Sequence, residues 1–316
     1  MDAKKFIERS IKEIKEQIGE KKAIIAISGG VDSTTASVLA SRAVGKNLMG
    51  VFVDTGLMRK NEPEQVMKML KEAGINATCA RAVDSFLEAL KGVEEPEEKR
   101  KIIGRIFIEI FDEIAQKEGA DFLVQGTIGP DWIESGGMGR DKIKSHHNVA
   151  GLPSGMKLKL CEPLRDLYKH EVRMVAKELG LLPKMFERQP FPGPGLGVRV
   201  VGEVTREKVN IVREACAIVE EEIEKASSEG KMEKPWQYFA SLFPTKTVGV
   251  RGDERAYQYT IVVRAVRSLD GMTANFSIIP PEILSKISTR ITNEIRDVGR
   301  VVYDITNKPP GTIEME

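Results

Sequence analysis

The sequence predicts an α/β protein whose first domain is a doubly wound, five-stranded parallel sheet and whose smaller second domain is α+β. Two observations lead to this prediction. Short strand-like runs alternate with amphipathic helical patterns through the first part of the chain, which is the rhythm of parallel βαβ units. That rhythm stops at "RQPFPGPGLGVRV" (188–200), where three prolines and three glycines fall close together. We therefore place the two domains at 1–189 and 190–316.

The first domain contains five runs with the composition and length of strands. They span residues 23–27, 49–53, 77–80, 122–124 and 157–160. Helices are predicted at 62–73, 97–118 and 169–179, and small residues suited to a helix follow the first strand. An amphipathic helix precedes that strand, with an apolar stripe formed by Ile7, Ile11, Ile14 and Ile18.

The second domain begins with a long helical pattern at 205–226. One apolar face of that helix is formed by Val209, Val212, Cys216, Val219 and Ile223. Strands are predicted at 248–250, 259–266 and 300–306, and a helix at 282–297. In the first domain, the glycine-bearing segment 127–152 lacks apolar periodicity, and a segment of that length inside a compact domain is typical of a functional lid.

Composition limits the function classes. The chain has 48 Lys and Arg against 47 Asp and Glu, a net charge of +1, which argues against nucleic acid or an anionic membrane as the main partner. Its three cysteines, Cys79, Cys161 and Cys216, are odd in number and far apart, so neither a disulfide framework nor a zinc site is indicated. No signal peptide or membrane span is apparent, and we expect a cytoplasmic protein.

The stretch "SGGVDS" (28–33) lies between the first strand and the next helix. Glycines there allow backbone N–H groups to face an anion, and the helix N-terminus favours negative charge. No lysine grips the phosphate as in the common P-loop; Asp32 stands in the loop instead. A Mg²⁺ ion shared between Asp32 and phosphate oxygens would turn repulsion into coordination. The alternative is that Asp32 merely caps the helix, an interaction of about 1 kcal/mol.

The same stretch resembles the signature of the N-type ATP pyrophosphatases. Five further motifs make the chain similar to the GMP synthetase family: "VFVDTGLMRKNE", "QGTIGPDWIES", "IKSHHNVAGLP", "FPGPGLGVRVVGEV" and "NKPPGTIEME". The resemblance covers residues 23–316 and implies an adenine nucleotide alpha hydrolase-like fold with a C-terminal dimerisation domain. It also implies the amination of xanthosine monophosphate (XMP) to GMP, through an adenyl-XMP intermediate, with release of AMP and pyrophosphate.

The resemblance assigns residues of the first domain to ATP and to catalysis. Predicted ATP contacts are Ser28, Gly29, Gly30, Val31, Asp32, Ser33, Thr34, Val53, Gly126 and Asp131. Predicted catalytic residues are Ser28, Asp32, Ser33 and Lys144, with Asp32 as the Mg²⁺ ligand. Three assignments stay open: Asp54 either lies near the adenosine or caps a turn, Asp131 or Glu134 either holds a second metal or is solvated, and His146 and His147 either contact the ligand from the lid or have no role.

The second domain is expected to bind XMP. The resemblance points to Gly193, Gly195, Arg290, Lys308, Ile313 and Glu314. The alternatives are that the "FPGPGLG" stretch is a linker and that the tail is idle. None of the three cysteines lies in a glycine-rich nucleophile elbow, so we expect ammonia to come from a separate glutamine amidotransferase subunit. The resemblance also implies a homodimer.

Two other functions remain open on the sequence. The ATP site could serve another N-type ATP pyrophosphatase, such as an NAD synthetase or a tRNA-modifying enzyme, although the near-neutral charge disfavours tRNA. The chain could also be a non-catalytic, nucleotide-binding regulatory module.

Overall fold

The computed structural model describes residues 1–129, 158–181, 188–269 and 271–316. The chain forms two compact units, each built from several segments. Unit 1 comprises Met1–Thr55, Asn61–Val83 and Ile103–Arg188, and unit 2 comprises Gly56–Lys60, Asp84–Ile102 and Gln189–Glu316. Unit 2 therefore takes two early segments in addition to the last part of the chain, and the domain boundary between 189 and 190 stays a prediction.

Strands and helices alternate along the first part of the chain. The strands are β1 (Ala23–Ala26), β2 (Leu48–Asp54), β3 (Ala77–Arg81), β4 (Phe122–Val124) and β5 (Lys159–Cys161). The helices are α1 (Ala3–Ile18), α2 (Val31–Val44), α3 (Glu62–Glu72), α4 (Val83–Ala89), α5 (Pro96–Glu118) and α6 (Lys169–Glu178). The sequence predicts the strands of this part within three residues at each end, but the short helix α4 is not predicted, because seven residues give too short a periodic pattern.

The five strands of unit 1 form a parallel sheet in the order β3-β2-β1-β4-β5. Strand β1 pairs with β2 on one side, with Ala23 opposite Leu48, and with β4 on the other, with Ala23 opposite Phe122. The chain moves outward from β1 to β3 and then returns to the other side of β1, so the order reverses between β1 and β4. In sheets of this kind, ligands bind beyond the carboxyl ends of the strands at such a reversal. The predicted fold class is confirmed.

The core of unit 1 explains why β1 and β2 read as apolar runs. Ile24, Ile25, Val51 and Phe52 are all buried, as expected for central parallel strands covered on both faces. Helices α1, α2 and α6 pack against one another, and α3 packs against β2 and β3. In α1, the predicted apolar stripe is largely buried, with Ile7, Ile14 and Ile18 inside.

Unit 2 contains an antiparallel hairpin, β6 (Gln237–Arg251) and β7 (Glu254–Arg267), preceded by helix α7 (Arg206–Ser228). Strand β8 (Asn275–Phe276) is antiparallel to β7, and β9 (Val298–Asp304) is parallel to it. Helix α8 (Pro281–Glu294) precedes β9 and packs against both β9 and α7. The predicted buried face of α7 is confirmed.

Two boundaries of unit 2 differ from the prediction for physical reasons. Strand β6 begins at Gln237, not at 248, because residues 237–242 are buried throughout and show no polar alternation. Helix α8 ends at Glu294, not at 297, since Ile295 adopts an extended conformation that leads into β9. Within the described parts of the chain, none of the helices has both the length and the apolar character required to cross a membrane.

Candidate functional site

The "SGGVDS" loop joins β1 to α2 in unit 1. Helix α2 begins at Val31 and its N-cap is Gly30, with φ of −77° and no capping side chain. Asp32 lies in the first turn of the helix. The alternative interpretation that Asp32 is the helix N-cap is therefore wrong: the chain enters the helix two residues earlier. The first N–H groups of a helix have no partner within the helix, so this loop can present them to an anion.

The serine hydroxyls of the loop bond to one another and to the loop backbone. Ser28 Oγ and Ser33 Oγ are 3.2 Å apart, Ser33 Oγ donates to Gly30 O at 3.2 Å, and it accepts from Ser28 N at 3.3 Å. Gly30 N donates to Ser28 Oγ at 3.3 Å. These bonds are at the long end of the usual range, and a phosphate oxygen can replace them at little cost. The loop geometry therefore suits the predicted roles of Ser28, Gly30 and Ser33.

Two glycines allow the backbone to approach its neighbours closely. Gly29 has φ of +77°, and a Cβ there would lie 2.9 Å from Val66 Cγ2. Gly126 follows β4, and a Cβ on it would lie 2.8 Å from both Asp32 C and Ser33 N. The pairing of β4 with β1 thus brings Gly126 directly against the phosphate loop, as the sequence predicts for an ATP-site residue. Whether Gly126 contacts ATP stays a prediction.

A lysine from α6 lies at the loop. Lys169 Nζ donates to Asp32 Oδ2 across 137 positions of sequence. Asp32 Oδ1 and Thr34 Oγ1 are buried and have no hydrogen-bond partner among the described residues. Sequence analysis missed Lys169, because its only signal is a position at the start of a predicted helix. The loop that lacks its own lysine therefore receives one from elsewhere in unit 1.

The donor set at Asp32 fits a magnesium ion. Mg²⁺ is commonly held by one or two carboxylates, with substrate phosphates and water as the other ligands. Asp32 offers one buried carboxylate oxygen that lacks a partner within the described part of the chain. No cluster of three or more His, Cys, Asp or Glu is present among the described residues, so a metal at Asp32 would depend on the nucleotide for most of its ligands.

A second charged pair stands behind the loop. Glu62, at the start of α3, is buried at 2% exposure and pairs with Arg188 Nη2 at 3.1 Å. The position that a Cβ of Gly29 would take is 4.0 Å from Glu62 Oε1. Sequence analysis did not single out Glu62 or Arg188, because charged residues at a helix start and beside a proline-rich stretch are common.

Other predicted residues of the first domain are less directly placed. Val53 is buried at the end of β2, and the carbonyl of Asp54 accepts from Ala82 N at 2.9 Å. The role of the Asp54 side chain stays a prediction. The remaining predicted residues, Asp131, Glu134, Lys144, His146 and His147, lie outside the described residues.

In unit 2, Gly195 is required by a backbone contact within the unit. Its φ is +62°, and a Cβ there would lie 2.3 Å from Leu57 O. Leu196 N donates to the same carbonyl at 2.7 Å. Gly193 lies in the turn two residues earlier. The close approach that the glycines of "FPGPGLG" permit is, at Gly195, an approach to Leu57; contact with a nucleotide stays a prediction.

The predicted XMP residues of the tail are held by buried cations. Arg199 is wholly buried and binds the Glu314 carboxylate at 2.9 and 3.0 Å. Burial disfavours its charge, but the Glu314 carboxylate beside it outweighs this and raises the pKa of Arg199. Arg264 Nε donates to Ile313 O at 3.2 Å. The sequence analysis missed both arginines, since nothing local distinguishes them from surface arginines.

The two other predicted XMP residues differ in their surroundings. Lys308 Nζ donates to Gly271 O at 2.8 Å. Arg290 contacts three carboxylates, those of Glu294, Glu222 and Glu221, and hydrogen bonds to them raise its pKa. A phosphate at Arg290 would have to compete with these carboxylates. Lys308 has a neutral partner and is therefore the easier cation to redirect to a phosphate.

The parallel sheet and the glycine-serine loop after its central strand define a PP-loop nucleotide-binding protein. The PP-loop domain family matches residues 3–182, and the GMP synthase C terminal domain family matches residues 221–315. Proteins named as the second of the subunits of GMP synthase [glutamine-hydrolyzing] are similar over their whole length. The one from Pyrococcus furiosus is 63% identical over 99% of this chain and 97% of that protein. The one from Thermococcus kodakarensis is 64% identical (98% and 99%), and that from Methanocaldococcus jannaschii is 59% identical (100% and 99%).

The chain belongs to the family of these GMP synthase subunits. The predicted family is thereby confirmed. The family carries both a PP-loop domain and a separate C-terminal domain, in the order that the sequence predicts.

Proposed function

We propose that this chain is the synthetase subunit of a two-subunit GMP synthase. It uses ATP to aminate XMP to GMP through an adenyl-XMP intermediate, and it releases AMP and pyrophosphate. The observation that carries this proposal is the match of the whole chain to proteins named as a GMP synthase subunit. These relatives favour GMP synthesis over an NAD synthetase or a regulatory module. The word "glutamine-hydrolyzing" in their names supports a separate glutaminase subunit as the source of ammonia.

The PP-loop would perform the first step by stabilising the departing pyrophosphate. The N–H groups at the start of α2 and the hydroxyls of Ser28 and Ser33 supply donors for its oxygens. Asp32 would hold Mg²⁺, which neutralises phosphate charge when bound. Lys169 occupies one oxygen of the Asp32 carboxylate in the chain by itself. Binding of a divalent ion at Asp32 would free the Lys169 ammonium for a phosphate oxygen.

Unit 2 would bind XMP through groups that match its chemistry. The phosphate requires a cation, and Lys308 is held only by the neutral carbonyl of Gly271 in its described hydrogen bonds. The purine N–H groups require acceptors, which Glu314 and the carbonyl of Ile313 provide. Arg290 and the backbone near Gly193 and Gly195 complete the proposed set. Ammonia displaces the adenylate from the purine once both nucleotides have reacted.

We also propose a homodimer, which the hairpin of unit 2 supports. Val248 lies opposite Tyr257 in the β6–β7 register, and Val250 follows on the same face of β6. All three are exposed, at 58%, 67% and 78% for Val248, Tyr257 and Val250. A contiguous exposed apolar patch on a hairpin is typical of a protein interface. We infer that a second copy of the chain covers it.

The function is tested by incubating the chain with ATP, Mg²⁺, XMP and ammonium and identifying the products. GMP, AMP and pyrophosphate are expected, whereas ADP would contradict the proposed cleavage site. Glutamine in place of ammonium should give no GMP until a glutaminase subunit is added. Deamido-NAD as acceptor tests the NAD synthetase alternative, and binding of both nucleotides without pyrophosphate release would favour a regulatory module.

The role of Asp32 is tested by Asp32→Asn, which keeps the shape of the side chain but removes its charge. Turnover should fall far more than ATP binding. The matched control is Asp121→Asn, because Asp121 is exposed in the same unit. Equal activity of Asp32→Asn and wild type would contradict a metal-binding role. For the dimer, Val250→Lys should give monomers in light scattering, whereas Met174→Lys, at an exposed apolar residue of α6, should not.

A further inference from the structure

A buried lysine outside every motif anchors the tail of unit 2. Lys99 belongs to α5, and its side chain is fully buried. Its ammonium donates to Val200 O at 2.9 Å and to the carboxylate of Glu316, which is 6% exposed. The other carboxylate oxygen of Glu316 accepts from Gly202 N at 2.9 Å. Both oxygens of Glu316 are therefore fixed by groups of unit 2.

The same stretch of chain also holds Glu314. Arg199 donates to both oxygens of the Glu314 carboxylate, and Gln237 Nε2 donates to one of them at 2.7 Å. Residues 199–202 thus bind the tail at two carboxylates that are two positions apart. In an extended chain such residues share one side, so an anchor at Glu316 limits the position of Glu314.

The hydrogen bonds leave Glu314 one acceptor position. An ionised carboxylate has about four lone-pair sites on its two oxygens. Arg199 and Gln237 occupy two on Oε1, and Arg199 occupies one on Oε2. The side chain of Glu314 is 16% exposed, so this remaining site is accessible to a small donor. A single N–H of a purine ring is a donor of that kind.

We propose that Lys99 is a positioning residue of the XMP site: its ion pair with Glu316 holds the tail so that Glu314 keeps one acceptor position for the purine. This inference rests on the proposed function. It explains a charge that is costly where it lies, since burial lowers the pKa of Lys99 despite the raising effect of the Glu316 carboxylate. A buried ion pair often adds little stability over apolar residues of similar volume. Its retention here is accounted for by the fixed geometry of the tail.

The test uses a double variant, Lys99→Met/Glu316→Leu, in the full chain. Removing one partner alone leaves an unpaired buried charge and risks unfolding, whereas removing both avoids that cost. The double variant should melt like the wild type. Its KM for XMP should rise about 10- to 100-fold, the range expected when a hydrogen bond to a charged group is lost, while its KM for ATP stays unchanged. The control is Lys101→Met, because Lys101 is 66% exposed on the same helix.

A second readout follows the tail directly. Hydrogen exchange at residues 312–316 should be faster in the double variant than in the wild type, with exchange in β1 and β2 unchanged. An unchanged KM for XMP would overturn the proposal, and so would an equal rise in both KM values, which indicates a general structural role. If the wild type makes no GMP, the proposed function fails; if it does and the double variant keeps the wild-type KM for XMP, this inference alone fails.

Discussion

Replacing Gly126 by alanine tests whether the carboxyl end of β4 shapes the phosphate loop. The added Cβ would meet three backbone atoms: Asp32 C and Ser33 N at 2.8 Å and Asp32 O at 3.0 Å. Ordinary van der Waals contact begins at 3.4 Å for a Cβ. Because all three neighbours belong to the backbone of one helical turn, none can rotate away. Either the first turn of α2 or the end of β4 must move by about half an ångström.

Both the stability and the activity should respond to that movement. Overpacking of this kind costs about 1–3 kcal/mol in the free energy of unfolding. A displacement near 1 Å can lower a rate by about 100-fold, so we expect kcat/KM for ATP to fall by about 10- to 100-fold. The affinity for XMP should change little, since the predicted XMP residues belong to unit 2.

The assay combines urea unfolding with steady-state pyrophosphate release. The matched control is Gly104→Ala, since nothing lies within 4 Å of a Cβ at Gly104, which is inside helix α5. That variant should keep its kinetics and gain up to about 1 kcal/mol from helix propensity. Wild-type kinetics and stability in Gly126→Ala would refute the close packing of Gly126 against the loop as a functional constraint.

Two further predictions concern single side chains. Lys169→Met should lower kcat/KM for ATP by about 10- to 100-fold, with partial rescue by Lys169→Arg, because a charge-assisted contact to phosphate contributes roughly 1.5–3 kcal/mol. Lys177→Met in the last turn of α6 is the control; unchanged ATP kinetics in Lys169→Met would contradict a phosphate role. For the thiols, burial raises the pKa of Cys161 to about 11 and also raises those of Cys216 and Cys79. Iodoacetamide at pH 8 should therefore label the native chain slowly, and half-buried Cys79 first, as measured by mass spectrometry; labelling of Cys161 or Cys216 ahead of Cys79 would contradict this.

The phosphate loop is predictable from sequence because its contacts are local. Ser28, Gly30 and Ser33 bond to one another within five positions of the chain, so the motif contains the interactions that shape it. The parallel sheet is predictable for a related reason. Each strand is a short apolar run and each helix repeats at its own period, so the alternation specifies a βαβ topology before any long-range contact is known.

The charged groups that complete the sites are not predictable in this way. Lys169 and Asp32 are separated by 137 positions, and Lys99 and Glu316 by 217. Before folding, Lys99 resembles any surface lysine in the charged run at the start of α5, and only the packed structure shows that it is buried. The start of β6 is missed for a different reason: a strand buried along residues 237–242 lacks the alternation that would identify it.

The position of Lys169 supports a functional role, because it is unfavourable for the helix that carries it. Lys169 is the first residue of α6, at the helix end where the macrodipole is positive and acidic residues are favoured. A lysine there costs about 0.3–1 kcal/mol by comparison with its place at the other end. Its side chain is 48% exposed, so packing does not require it either. What it does contact is Asp32, whose other carboxylate oxygen is buried without a partner among the described residues. A local conflict of this kind is expected at a functional site. We infer that the loop is arranged for a polyanion and its metal, and that Lys169 neutralises Asp32 until they bind.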